Sequence, residues 1–132
     1  MKRRVLVIDD ERPFADSLVE FFTDKGFEAR ASYDAESGRL VVNEFDPHAI
    51  ISDIKMPGQS GLDFLQEIRR HGDRRVVILV TAHGDLPVLW QSMRLHADGF
   101  MRKPLSMESL GRVVEEALER KRKAIAEDAG ST

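Results

Sequence analysis

Three short runs constrain the fold more than any other feature of this chain. Val5-Leu6-Val7-Ile8, Ala49-Ile50-Ile51 and Val76–Val80 are apolar at every position, as expected of strands buried on both faces rather than strands with one wet side. Two weaker runs complete a set of five. Glu28–Ser32 alternates polar and apolar residues and reads as an edge strand, and Gly99–Lys103 is short and less apolar, as the opposite edge would be. Helix-like stretches separate all five. Strand–helix alternation of this regularity calls for a parallel sheet covered by helices on both faces, an α/β architecture.

The helices are punctuated by residues with physical reasons to be there. Pro13 suits a first helical turn, Phe14, Leu18, Phe21 and Phe22 follow at helical spacing, and Gly26 stops the run. Asp34 is an expected N-cap for a second helix through about Asn43. Leu62, Leu65 and Ile68 give a third its apolar face, which ends near Gly72. A fourth is expected over Asp85–His96, with Pro87 tolerated in its first turn. Ser106 caps a fifth that carries Leu110, Val113, Val114, Ala117 and Leu118 on one face. Disorder is expected over Asp128–Thr132.

Composition narrows the function classes. The 132 residues suit one domain, and 20 Lys+Arg against 23 Asp+Glu give a net charge of −3, so no global basic field argues for nucleic acid or membrane. The absence of cysteine excludes disulfides, thiol nucleophiles and Cys-type zinc sites. Val76–Val80 is the longest unbroken apolar run, far too short to span a bilayer. Met1–Arg4 is basic but leads through Val5–Ile8 straight into Asp9 and Asp10, unlike a signal peptide, and a cytoplasmic location is the expectation.

In an open parallel sheet, sites form beyond the carboxyl ends of the strands. Asp9, Asp10 and Glu11 follow the first run, Asp53 the third and Thr81 the fourth, and Lys103 ends the fifth. Any one of these has a bland reading as a cap, a turn residue or a solvated edge. Together they make one coherent set at one rim. Clustered carboxylates repel unless a cation joins them, and oxygen ligands with retained water are what Mg²⁺ prefers. Lys103 would add a fixed positive charge suited to a transferring phosphoryl group, and Thr81 a hydrogen-bond donor. No Gly-rich nucleotide-binding motif competes.

These residues carry a resemblance to the receiver domains of two-component response regulators, over roughly Lys2 to Arg122. Val7-Ile8-Asp9-Asp10-Glu11 resembles the family's acidic pair, and Ser52-Asp53-Ile54-Lys55-Met56-Pro57-Gly58 its phospho-acceptor segment, followed by Gly61-Leu62. Val80-Thr81-Ala82 is similar to the switch hydroxyl and its small neighbour, and Phe100-Met101-Arg102-Lys103-Pro104 to the fifth strand. Leu79–Asp85 followed by Pro87 is similar to receivers that control sigma-54-type activators, although Trp90-Gln91-Ser92 and His96-Ala97-Asp98 depart from their commoner wording. The resemblance implies a five-stranded parallel sheet of flavodoxin-like order 2-1-3-4-5 with five flanking helices. It implies a receiver domain over residues 1–122, then a helical extension or linker and disordered tail over 123–132.

Roles follow from the same resemblance. Asp53 would accept phosphoryl from a partner histidine kinase or phosphotransfer protein. Asp9, Asp10, Asp53 and the Lys55 carbonyl would hold Mg²⁺. Thr81, the Ala82 amide and Lys103 would bind the phosphoryl group, Thr81 and Phe100 would relay the change, and a cis Lys103–Pro104 bond would aim the lysine. Lys55 and His83 would flank the path of hydrolytic water. The fourth helix, fifth strand and fifth helix would form the responsive surface, with a homodimer on phosphorylation involving Val113 and Val114. Glu11 is assigned no functional role, and Arg120–Lys123 reads as the wet end of a helix rather than a nucleic-acid contact. The alternative, an aspartyl-phosphate hydrolase of the haloacid dehalogenase type, needs a general-acid Asp where this chain has Lys55.

Overall fold

Alternate side chains of the inner strands point to opposite faces of the sheet, and the two sets build two separate cores. In the computed structural model, which describes residues 2–82 and 86–130, the elements alternate as β1 (Arg4–Ile8), α1 (Arg12–Asp24), β2 (Glu28–Ser32), α2 (Ala35–Phe45), β3 (Ala49–Asp53), α3 (Gly61–Arg70), β4 (Val76–Thr81), α4 (Leu86–Arg94), β5 (Gly99–Arg102) and α5 (Met107–Gly130). All pairings are parallel, in the order β2-β1-β3-β4-β5. Val5, Val7, Ile51, Ile78 and Val80 pack with Leu18 and Phe22 of α1 and Leu110, Val114 and Ala117 of α5. Leu6, Ile8, Ile50, Val77 and Leu79 pack on the other side with Ala35, Phe64, Leu65 and Ile68. Both faces of β1, β3 and β4 are dry, which is why their sequences show no alternation.

Local signals match most boundaries. The Asp34 carboxylate accepts from Ser37 N–H at 2.8 Å and Ser106 Oγ from Ser109 N–H at 3.2 Å, so both caps form. Gly26 ends α1 with φ +95°. Four expectations need correction. Helix α2 passes Asn43 to Phe45 because Phe45 still has a core to enter, and Asp46 stops it with a left-handed φ of 51°. Helix α4 ends at Arg94, with His96 left-handed at φ 64°; Asp85, the expected start, lies outside the described residues. Helix α5 continues through Asp128 to Gly130, because Lys123–Ala129 is composed mostly of good helix formers with no breaker before Gly130. Val114 is 0% exposed and offers no free surface to a second copy, whereas Val113 is only partly buried against the same core.

The end of the sheet opposite the acidic strand ends is clamped by side chains. Arg4 Nε donates to the Phe45 and Asp46 carbonyls at 2.8 and 3.1 Å, and Arg4 N–H donates to His48 Nδ1 at 2.9 Å. Loss of water around the ring and then the Arg4 charge hold His48 below the ordinary histidine value; Asp46 opposes this, and Arg3 and Arg75 add to it. The fold therefore favours the neutral ring. Its contribution is present above pH about 6.5 and lost as pH falls through the lowered folded value. His48→Gln keeps an acceptor for Arg4 N–H without titrating. Urea unfolding between pH 7 and 5 is expected to show a smaller acid-side loss of stability in the variant; parallel losses would place the titration elsewhere.

Candidate functional site

The strand order reverses between β1 and β3, and a crevice opens beyond their carboxyl ends. Asp9 and Asp10 follow β1 directly, and Asp53 is the last residue of β3. One carboxylate oxygen from each of the three lies within 4.8 Å of the others. Asp9 and Asp53 are buried at 1% and 6% exposure, whereas Asp10 faces solvent. Backbone bonds fix the cluster. Asp9 N–H donates to Ser32 O at 3.0 Å, extending the β1–β2 pairing, and Asp9 Oδ1 accepts from Glu11 N–H at 2.9 Å. Ile54 N–H donates to Val80 O at 3.0 Å, which carries the β3–β4 pairing just past Asp53.

Lys103 reaches this cluster from the far side of the sheet. Its Nζ donates to Asp9 Oδ2 at 2.8 Å and Glu11 Oε1 at 2.9 Å, and lies 3.5 Å from Asp53 Oδ2. The Phe14 ring lies under the ammonium, 4.3 Å from Nζ to centroid. The Lys103–Pro104 peptide is cis. Burial by itself lowers the ammonium pKa, but the hydrogen bonds to Asp9 and Glu11 and the Asp53 and Asp9 charges outweigh it and leave Lys103 above its ordinary value. Asp53 moves upward, to about 6. Burial is the main cause and Asp9 the next; Lys103 and the Lys55 amide oppose them, and Asp10 adds to the rise. Burial and the neighbouring Asp9 therefore outweigh the pull of the lysine on Asp53.

Thr81 is buried at the end of β4, and its carbonyl accepts from Lys103 N–H at 2.8 Å, which ties the two strand ends together. Ala82 follows it and is exposed. Phe100 is paired in register with Leu79, so it shares a sheet face with Thr81, and it is partly buried against the second core. Lys55 has an exposed side chain, and its N–H donates to Asp53 Oδ1 at 3.3 Å. His83 lies outside the described residues. Two contacts go beyond what the sequence pattern predicts. Glu11 is an ion-pair partner of Lys103, and Phe14, whose spacing marks it as helix packing, forms the floor beneath the ammonium. The third acid of the Asp9-Asp10-Glu11 run is the available signal for Glu11; Phe14 has none beyond its helical spacing.

The donor set fits a hard divalent cation. Three carboxylates converge, two of them with little water to screen their repulsion, and a hard cation suits such an all-oxygen donor set. One close approach shapes the site from behind. Gly61 N–H donates to Ile54 O at 2.8 Å, and a Cβ at Gly61 would lie 2.2 Å from the Asp53 carbonyl oxygen. Only glycine lets α3 begin this close to β3.

Parallel strands in this order, with acids following β1 and ending β3, a hydroxyl ending β4 and a lysine after β5, define a flavodoxin-like α/β domain with an acidic site at its strand crossover. The response regulator receiver domain family matches residues 5–115, and the chain belongs to it. A response regulator receiver domain protein from Clostridium thermocellum is 30% identical, with a TM-score of 0.86 over 92% of this chain and 98% of that one. A CheY-like receiver domain protein from Methanospirillum hungatei shares the fold at 23% identity, with a TM-score of 0.89 over 94% and 99% of the two chains. The fold also recurs in a DNA-binding response regulator of the LuxR family from Staphylococcus aureus, at 24% identity and TM-score 0.82, over 88% of this chain and 98% of that one.

Proposed function

We propose that this receiver accepts a phosphoryl group on Asp53 from a phosphohistidine of a sensor histidine kinase or phosphotransfer protein, and relays it as a change of the α4–β5–α5 surface. The observation that carries the reading is the placement of Asp53, buried between two acids and a lysine at the strand crossover. An Asp53 carboxylate oxygen attacks phosphorus; the new P–O bond forms as the P–N bond breaks, and the imidazole nitrogen keeps the bonding pair. Asp9, Asp10, Asp53 and the Lys55 carbonyl are the ligands for Mg²⁺, which when bound offsets the negative charge of acceptor and phosphoryl oxygens. Lys103, already fixed by Asp9 and Glu11, pairs with the transferred group. Thr81 and the Ala82 amide donate to its oxygens, and Lys55 and His83 flank the approach of water.

The relay runs through Thr81 to Phe100 on the same sheet face. A hydroxyl drawn toward the phosphoryl group vacates space that the partly buried ring can take. Trp90 and Met93, at 65% and 62% exposure, give α4 an apolar exterior for pairing with a second copy once the surface changes. A cytoplasmic location is part of this reading; among the described residues no helix is long and apolar enough to cross a membrane. Residues 1–122 are read as the receiver and 123–132 as its extension. A transcriptional output through sigma-54-type activators rests on the Leu79–Asp85 wording and Pro87, and nucleic-acid binding is not assigned to this domain.

Acetyl phosphate with Mg²⁺ is expected to add one phosphoryl group, mapped by peptide mass spectrometry to Asp53, and no group when the metal is chelated before the donor is added. Labelling at another residue, or labelling that ignores chelation, would overturn the assignment.

A further inference from the structure

The loop of residues 54–60, between β3 and α3, carries the carbonyl assigned above to the metal. Its two ends are fixed by backbone: Ile54 N–H donates to Val80 O at 3.0 Å, and Gly61 N–H to Ile54 O at 2.8 Å. Ser60 Oγ caps α3 by accepting from Asp63 N–H at 3.1 Å. The middle is built differently. Met56 is buried, Pro57 and Gly58 are exposed, and Gly58 is left-handed at φ 81°. Into this middle reaches a side chain from another element. Arg39, on α2, donates through Nη1 to Gln59 Oε1, and the same nitrogen donates to Glu67 Oε2 of α3 at 3.1 Å. One guanidinium thus joins α2, the loop and α3.

We propose that Arg39 is a positioning residue for the acceptor site: through Gln59 it holds the 54–60 loop in the arrangement that presents the Lys55 carbonyl to Mg²⁺. The inference rests on the reading of Asp9, Asp10 and Asp53 as a Mg²⁺ site and adds a residue that touches neither metal nor phosphoryl group. A loop that leaves its competent arrangement part of the time binds more weakly by that fraction. Arg39 suits the task because the two N–H donors of its Nη1 serve the Gln59 amide oxygen and the Glu67 carboxylate together, and Glu67 orients the rigid guanidinium before any ion arrives. The Arg39 and Glu67 side chains are 39% and 40% exposed, so their ion pair adds little to global stability. Affinity and stability should therefore separate.

The test is a calorimetric Mg²⁺ titration of the full chain, with urea unfolding of each variant in the absence of metal. Arg39→Ala and Gln59→Ala are each expected to weaken binding about three- to tenfold, the range set by the ordinary net contribution of one partly exposed hydrogen bond. The double variant should be no weaker than either single one, because both remove the same bond. Arg39→Lys should recover only part of the loss, and urea midpoints should stay close to wild type. Wild-type affinity in both single variants, additive losses in the double one, or losses that track unfolding midpoints would overturn the proposal. Amide hydrogen exchange at residues 55–59, without metal, keeps the two readings apart. If wild type fails to bind Mg²⁺, the site reading fails. The clamp then stands on faster exchange in Arg39→Ala and Gln59→Ala, and falls if exchange is unchanged.

Discussion

Asp53→Asn is expected to abolish phosphoryl uptake from acetyl phosphate and, with divalent cations chelated, to make the protein more stable than wild type at pH 7. The first effect follows from losing the nucleophile, since an amide oxygen does not attack phosphorus at a useful rate. The second follows from the surroundings. Burial and then the Asp9 charge push the Asp53 carboxyl up to about 6, whereas an unfolded Asp titrates near 3.9. Between these values the folded chain holds a proton that the unfolded chain has released, so stability falls as pH rises through the window. Lys103 opposes this from 3.5 Å, but its closer contacts are Asp9 at 2.8 Å and Glu11 at 2.9 Å. Repulsion and desolvation win, by about 1–2 kcal/mol once solvent screening is allowed for. Asn keeps the shape and removes the charge. Urea unfolding in chelator should show the variant's advantage at pH 7 and its disappearance by about pH 4, where the folded proteins carry an uncharged side chain at position 53 in both cases. Mg²⁺ at roughly thirty times its Kd or more should reverse the order, because the ion stabilises the folded wild type it binds. A variant less stable than wild type in chelator at pH 7 would mean that the lysine contact outweighs the acidic cluster.

The fold is legible in the sequence because its three inner strands are dry on both sides, and nothing except a doubly covered parallel sheet buries Val5–Ile8, Ala49–Ile51 and Val76–Val80 together. The strand-end acids are legible for a related reason: a strand buried on both faces that runs straight into carboxylates must release them at its rim. Contacts assembled from distant helices are harder. Arg39 and Gln59 are twenty positions apart on a helix and a loop, and neither has a spacing that marks it. Phe14 fits the helical apolar pattern equally well whether it fills the core or supports an ammonium. Glu11 looks like the surplus member of an acidic run until Lys103 is placed beside it. The end of α5 departs from expectation for the opposite reason. A polar, charged tail resembles disorder in composition, yet Lys123–Ala129 consists largely of residues with good helix propensity and continues a helix already nucleated by the core.

Gly61→Ala is expected to destabilise the protein by about 1–2 kcal/mol and to weaken Mg²⁺ binding, although alanine is the better helix former by about 1 kcal/mol. The added Cβ would lie 2.2 Å from the Asp53 carbonyl oxygen and 3.0 Å from both the Asp53 carbonyl carbon and Ile54 Cα. The obstacle is backbone, so no side-chain rotation relieves it. Strand β3 cannot easily yield, since it is paired with β1 on one side and β4 on the other. The first turn of α3 must therefore move away, at the cost of the 2.8 Å bond from Gly61 N–H to Ile54 O and of the Ser60 cap beside it. Any movement that β3 does concede displaces Asp53, so the clash is felt in the metal site as well as in the core. Gly58→Ala supplies the contrast. Gly58 has φ 81°, but a methyl group added there would meet nothing within 4 Å, so its substitution should cost only the left-handed strain, about 1–2 kcal/mol. Urea unfolding and Mg²⁺ titration of the two variants decide the matter. If Gly61→Ala proves as stable as wild type, or more so, then helix propensity outweighs the clash and the close approach to Asp53 does not constrain the site.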